Sequence, residues 1–230
     1  MKCFIRRFWL RLQLPIRQSI LVLSSAFILP ILLSACVTVE KHQLPPGSEI
    51  SQQAAWEVHR ANVQALKTWK LKGRVAGKSN KQGFRAGVRW NQMQDNFVID
   101  LHGPLGRKVA VITAAQGNVQ LKTSKGENYQ AKDPEELMQR LFGYSLPVNG
   151  LQYWLLGIPD PSPKLGQSNS DLILDEHGRL QQLDQAGWLI DYKRYHEGVP
   201  ALPALIQISN PTLNANIKID AWTLESQQAK

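Results

Sequence analysis

The 230-residue chain predicts a mainly β fold with helices. The expected form is an antiparallel sheet of about eleven strands curved into an incomplete barrel, with one long N-terminal helix and two short helices covering its concave face. Three observations predict it. Apolar residues fall at helical spacing between Glu49 and Lys70, they recur at period two over most of the chain beyond Lys70, and two short helical segments interrupt the strands.

The chain begins with a segment that does not belong to this fold. Lys2, Arg6, Arg7, Arg11 and Arg17 form a basic start without an acidic residue, followed by the apolar run Ser19 to Leu33. That run is broken by Ser24, Ser25 and Pro30 and is shorter than the roughly 20 residues of a spanning helix. A basic start, a short apolar stretch and small residues before a cut make a secretory signal peptide, here residues 1–35. Leu33-Ser34-Ala35-Cys36 resembles the lipobox of bacterial lipoproteins, which implies cleavage before Cys36 and acylation of that cysteine. The same resemblance, with Val37 and not Asp after the cysteine, points to the outer membrane. Cys3 leaves with the signal peptide, so the remaining chain has no thiol pair and must rest on a hydrophobic core. Five of the charges behind the formal +9 leave as well, which leaves +4. No basic face interleaved with aromatics suggests nucleic acid.

Residues 36–48 read as a lipidated N-terminus and polar, proline-containing tether, 49–226 as one domain, and 227–230 as a polar tail. Trp56, His59, Val63 and Leu66 form one stripe of the long helix, with His59 read as a packed side chain and not a ligand. Strands come next. Phe84, Ala86, Val88 and Trp90 alternate with Arg85, Gly87 and Arg89; Phe97, Ile99 and Leu101 alternate with Val98 and Asp100; Ile206 and Ile208 alternate with Gln207 and Ser209. Asp133-Pro134-Glu135-Glu136 is a capped helix start whose helix is expected to stop at Gly143. The second short helix, Leu151 to Leu156, ends at Gly157 before Pro159.

An incomplete barrel can hold a ligand cavity, although a closed core has the same pattern. The inward phase of the strands supplies the cavity candidates Phe84, Val88, Trp90, Phe97, Ile99, Leu101, Trp188, Ile190, Ile206, Ile208, Ile217 and Ile219. Ile217 and Ile219 are out of phase with Trp222 and Leu224, which predicts a bulge between the pairs. Gly103-Pro104-Leu105-Gly106 reads as a tight turn with leucine where a polar residue serves better. Either Leu105 folds back onto the core or it touches something apolar outside the protein.

No catalytic signature stands out. Gly73 to Ser79 has three residues between its glycines where a phosphate loop needs four, and Lys72 stands where that loop needs glycine. Gly143-Tyr144-Ser145-Leu146-Pro147 lacks the closing glycine of a nucleophile elbow. His42, His59, His102, His177 and His196 show no metal-ligand spacing, His177 reads as part of a hairpin turn, and no metal or cofactor is expected.

Trp56, His59, Val63, Leu66, Trp69, Gly73 and Trp90, then the Gly103–Gly106 turn, are followed by an ordered series of further segments. These include Tyr129 to Pro159, Gly178 to Tyr195, Leu202 to Ile208 and Ile217 to Trp222. Together they resemble the outer-membrane lipoprotein receptor LolB family of Gram-negative bacteria, from about Trp56 to Leu224. The resemblance implies an open β-barrel with a helical lid over an apolar cavity. It implies a monomer that accepts acyl chains of cargo lipoproteins from the periplasmic carrier LolA and inserts them into outer-membrane phospholipid. It also implies that Leu105 projects outward for insertion. Two other classes compete with it: a structural or peptidoglycan- or assembly-associated outer-membrane lipoprotein, which needs a polar groove, and a lipid hydrolase, which needs a nucleophile.

Overall fold

The computed structural model describes residues 49–79, 82–142, 147–162 and 171–225. The expected signal peptide, Cys36 and expected tether, the expected helix stop at Gly143 and the expected polar tail lie outside the described residues.

Helix α1 (Glu49–Gln64) buries the Trp56 and Val63 side of its stripe. His59 sits on that stripe between the rings of Trp56 and Tyr195, at 6.3 and 6.5 Å. Burial, and then the Arg179 guanidinium, hold its pKa below the ordinary histidine value. Six strands then form a meander: β1 (Thr68–Ser79), β2 (Gln82–Met93), β3 (Asn96–His102), β4 (Lys108–Ala115), β5 (Asn118–Thr123) and β6 (Asn128–Ala131). Two helices come after it, α2 (Pro134–Phe142) and α3 (Val148–Leu156). A second meander runs back through β7 (Asp171–Leu174), β8 (Leu180–Gln185), β9 (Trp188–Tyr195), β10 (Pro203–Ser209) and β11 (Leu213–Leu224).

The two meanders join where β11 pairs antiparallel with β1. All eleven strands form one sheet, ordered β6-β5-β4-β3-β2-β1-β11-β10-β9-β8-β7. Its edges, β6 and β7, are four residues each and do not pair with one another, so the barrel stays open. Short edges also limit unwanted strand addition.

Both inserted helices obey local chemistry. The Asp133 carboxylate accepts the Glu135 N–H at 2.8 Å, capping α2 behind Pro134. Helix α3 begins at Val148, a turn earlier than its apolar core suggests, because Pro147 supplies the first accepting carbonyl to Leu151 at 2.7 Å. It ends at Gly157, whose left-handed φ of 80° lets its N–H and that of Ile158 close on Trp154 and Tyr153.

The seam between the meanders carries the predicted bulge. Lys72 faces Ala221 while Gly73 faces Ile219, so Asp220 is the extra residue. It returns Trp222 to the inner face, edge-on to Trp69 at 5.4 Å. A methyl at Gly73 would lie 2.4 Å from the Lys218 carbonyl oxygen, which is fixed backbone. Gly73→Ala is therefore expected to cost ~2–3 kcal/mol by forcing the seam apart. A lower denaturation midpoint with unchanged slope checks this.

Candidate functional site

The inner face of β1, β2, β3 and β11 alternates as strands must, and its apolar side chains do not meet one another across the barrel. They leave a cavity of about 290 Å³. Leu71 and Val75 of β1, Phe84, Val88 and Trp90 of β2, Ile99 and Leu101 of β3, Ile112 of β4, Ile208 of β10, and Leu213, Ala215 and Ile217 of β11 form its walls. Met138 of α2 and Val148, Leu151 and Leu155 of α3 form its roof. Arg85 is the single charged residue on its border, at the open rim and in the outward phase of β2. A lining of this kind offers alkyl chains dispersion contacts and release from water, and gives almost no polar group to orient a polar ligand.

Burial is graded along the strands. At one end Trp69, Trp90 and Phe97 are buried and their rings pack at 5.8 and 5.5 Å. Gln92, also buried, accepts the Trp90 indole N–H at 2.8 Å and donates to the Gln94 carbonyl at 2.7 Å. These bonds plug that end without an orphaned indole. Toward the other end Val75, Phe84, Val88 and Leu101 are only half-buried although they point inward. The cavity therefore opens where β3 runs out.

Among the described residues, the twelve strand candidates all lie within or against the hydrophobic core, and they divide into two groups. Phe84, Val88, Trp90, Ile99, Leu101, Ile208 and Ile217 line the cavity. Phe97, Trp188, Ile190, Ile206 and Ile219 are buried in the core outside the lining. Phe97 is taken up by the aromatic plug, and Trp188 packs on Trp154 of α3 at 6.0 Å. Helix α3 is clamped to this half of the sheet. The Trp154 indole donates to Gln185 at 2.8 Å, Gln185 exchanges two hydrogen bonds with the Asp160 backbone, and the Tyr192 hydroxyl donates to the Trp154 carbonyl at 3.0 Å. Period two in the strands marks the inner face and carries no information about what fills it. The roof residues escape strand periodicity for a different reason, because they sit on helices. Val148, Leu151 and Leu155 are spaced by three and four, the signature of one helical face, which could have found them.

The Gly103–Gly106 turn lies at the open end, after the last residue of β3, and packs beside β2. Its Gly106 N–H donates to the Gly103 carbonyl at 3.1 Å, and the Gly103 N–H donates to the Arg107 carbonyl at 2.9 Å. Leu105 is 99% exposed and held at φ 66°, ψ 14°. This third turn position with positive φ favours glycine, and an L side chain there costs ~1–2 kcal/mol. An apolar side chain is thus kept wholly in water on a backbone that disfavours it. Core packing does not account for it.

No group of three or more His, Cys, Asp or Glu that could hold a metal occurs among the described residues. Asp175 accepts from the His177 and Arg179 N–H groups and pairs with the Arg179 guanidinium at 2.6 Å, so His177 sits in the hairpin turn. That pairing holds the Asp175 carboxyl below the ordinary range, against the opposing effect of burial.

A family model described as Outer membrane lipoprotein LolB matches residues 67–222. The Outer-membrane lipoprotein LolB of Pseudomonas aeruginosa is 33% identical over 192 residues, covering 83% of this chain and 90% of that protein. The protein of the same name from Nitrosococcus oceani is 35% identical over 196 residues, covering 84% and 93%. A solved LolA superfamily structure from Nitrosomonas europaea superposes with a TM-score of 0.49 at 7% identity, over 76% of this chain and 94% of that one. With the family model spanning the sheet from the end of α1 to Trp222, the chain belongs to the outer membrane lipoprotein LolB family.

Proposed function

We propose that this outer-membrane lipoprotein of the localisation system takes the acyl chains of cargo lipoproteins into the β1–β3 cavity and passes them to the membrane through the Leu105 end. The observation that supports this reading most is the placement of an apolar, open-ended cavity beside a fully exposed leucine. The donor in this reading is the periplasmic carrier LolA, as the family resemblance implies, and Cys36 carries the lipid that keeps the chain at the acceptor membrane.

Physical chemistry requires such a relay. Each methylene moved out of water is worth about 0.8 kcal/mol, so three long chains sum to roughly 35 kcal/mol. Non-covalent affinities saturate near ~18–21 kcal/mol, and release of such chains into water is far too slow. Cargo has to move from one apolar space directly to the next. No bond is made or broken, so the protein acts as a carrier and not as a catalyst.

The cavity volume of about 290 Å³ is just below the ~300–1,000 Å³ usual for ligand pockets. Several acyl chains therefore need the roof to lift. Helix α3 is pinned through Trp154, Gln185 and Tyr192, whereas α2 packs chiefly on β5, β6 and α3. In this reading α2, carrying Met138, is the part that moves.

The test is transfer itself, resolved into two steps. Carrier loaded with an acylated lipoprotein is mixed with this protein, and cargo on each is measured by mass spectrometry before and after vesicles are added. Acceptance and then delivery is the expected result. Cargo that stays on the carrier throughout refutes the reading, and so does a hydrophobic fluorescent probe that finds no site on the protein.

A further inference from the structure

The outer face of the same strands carries charge that the acyl reading leaves unused. Gly87, in the middle of β2, has no side chain, and its neighbours on that face are cationic or ionisable. Arg85 and Arg89 stand two residues either way along β2, Arg74 is its partner on β1, and His102 is its partner on β3. A Cβ built on Gly87 would make ordinary contact with the His102 Cβ at 3.4 Å, which places both on one side of the sheet. The row continues outward from Arg74 to Lys218 of β11.

This arrangement is unfavourable for the fold. Lys72 lies directly opposite Arg89, and Arg74 directly opposite Lys218, and like charges in such positions repel. Asp220 answers the second pair, at 2.9 Å from Arg74 and 3.9 Å from Lys218. Asp100, the cross-strand partner of Arg89, is instead held by Lys108. Lys72 also feels the Asp220 carboxylate, whereas Arg85 and Arg89 are exposed and have no hydrogen-bond or ion-pair partner among the described residues. His102 leads straight into the Leu105 turn, and adjacent strands are about 4.8 Å apart. The basic field therefore reaches the turn within two or three strand spacings.

We infer that the side-chain-free patch over Gly87, ringed by Arg74, Arg85, Arg89 and His102, is a docking site for the phosphate headgroups of an anionic phospholipid surface. It rests on the reading of Leu105 as the membrane-entering residue, because that is what brings this face to the headgroup layer. The continuity of the basic field with an exposed leucine favours a membrane over an acidic protein. The leucine needs an apolar layer beneath the anions, which a bilayer supplies. Each cation at an anionic surface strengthens attachment about fivefold, and the effect fades within a Debye length.

The test uses the full lipid-anchored protein in vesicles of phosphatidylcholine alone or of phosphatidylcholine with phosphatidylglycerol. A fluorophore is attached at Val111→Cys, on the outer face of β4 opposite Asp100. A quencher on the lipid headgroups reports approach of the face. Quenching is expected to be several-fold stronger with phosphatidylglycerol, and to fall to the neutral level in raised salt, in the pair Arg74→Gln with Arg89→Gln, and in Gly87→Glu. Gly87→Ala should fold and keep the effect, and Lys72→Gln should melt no lower than the parent, so loss of fold is not mistaken for loss of docking. Equal quenching in both membranes overturns the proposal, as does a composition effect that survives the paired variant. If the paired variant instead slows acceptance from the carrier with no lipid effect, the face belongs to an acidic protein and the proposal is likewise overturned. Cargo delivery into pure phosphatidylcholine is measured in parallel. Its failure with the lipid effect intact would count against the Leu105 reading alone.

Discussion

Leu105→Glu should accept cargo at the parent rate and fail to deliver it, so that loaded protein accumulates. The side chain is 99% exposed and touches no core residue, so the change in stability is expected to stay within about 0.5 kcal/mol, the usual range for surface positions. The cavity walls are untouched, which preserves acceptance. Delivery is different, because a carboxylate at the tip resists entering the apolar layer that a leucine prefers. The backbone sharpens the test. At φ 66° the leucine is strained, so Leu105→Gly is expected to raise stability by ~1 kcal/mol while removing delivery. A variant more stable and less active separates a tip selected for contact from one selected for folding. Leu105→Phe should retain delivery. Isoleucine is a poor mimic here, because a β-branched residue suits positive φ still less. Melting temperatures and both transfer steps on the same variants check all four statements. A stability loss of several kcal/mol in Leu105→Glu would return Leu105 to core packing.

Val88→Glu should do the reverse and weaken acceptance. Val88 points into the open half of the cavity and is half-buried, so a carboxylate there keeps its water by leaning toward the mouth. A chain excluded from about two methylenes of contact loses ~1.6 kcal/mol, so acceptance should fall more than tenfold. Binding of a hydrophobic fluorescent probe should fall in parallel. Val98→Glu is the matched control, since Val98 is of opposite phase on the adjacent strand and faces away from the cavity. It should accept normally. Equal loss in both variants would mean that added charge, and not occupation of the cavity, is responsible.

These two residues differ in how far the sequence alone reveals them. Val88 is legible because strand residues alternate strictly, so one apolar phase between Arg85, Gly87 and Arg89 fixes which side faces in. The same rule predicts the bulge, since Ile219 and Trp222 cannot share a face without an extra residue between them. Helix ends are legible from Asp133-Pro134 and from Gly157, whose chemistry acts over a few residues. Leu105 can be seen only as an anomaly, because a turn sequence does not state whether its third side chain folds back or stands out.

What the sequence by itself determined is therefore local or periodic: strands with one apolar face, caps, turns and the family resemblance. Tertiary structure decided which inward residues meet empty space and which meet other side chains. Phe97 and Ile208 share the same pattern, yet the first is closed off by Trp90 and the second borders the cavity. It also decided that Arg74, Arg89 and His102, from three different strands, surround one glycine. The physical reason is that alternation is set by the backbone of a single strand. Cavities and charge clusters depend on register and packing between strands distant in sequence, which no single segment encodes.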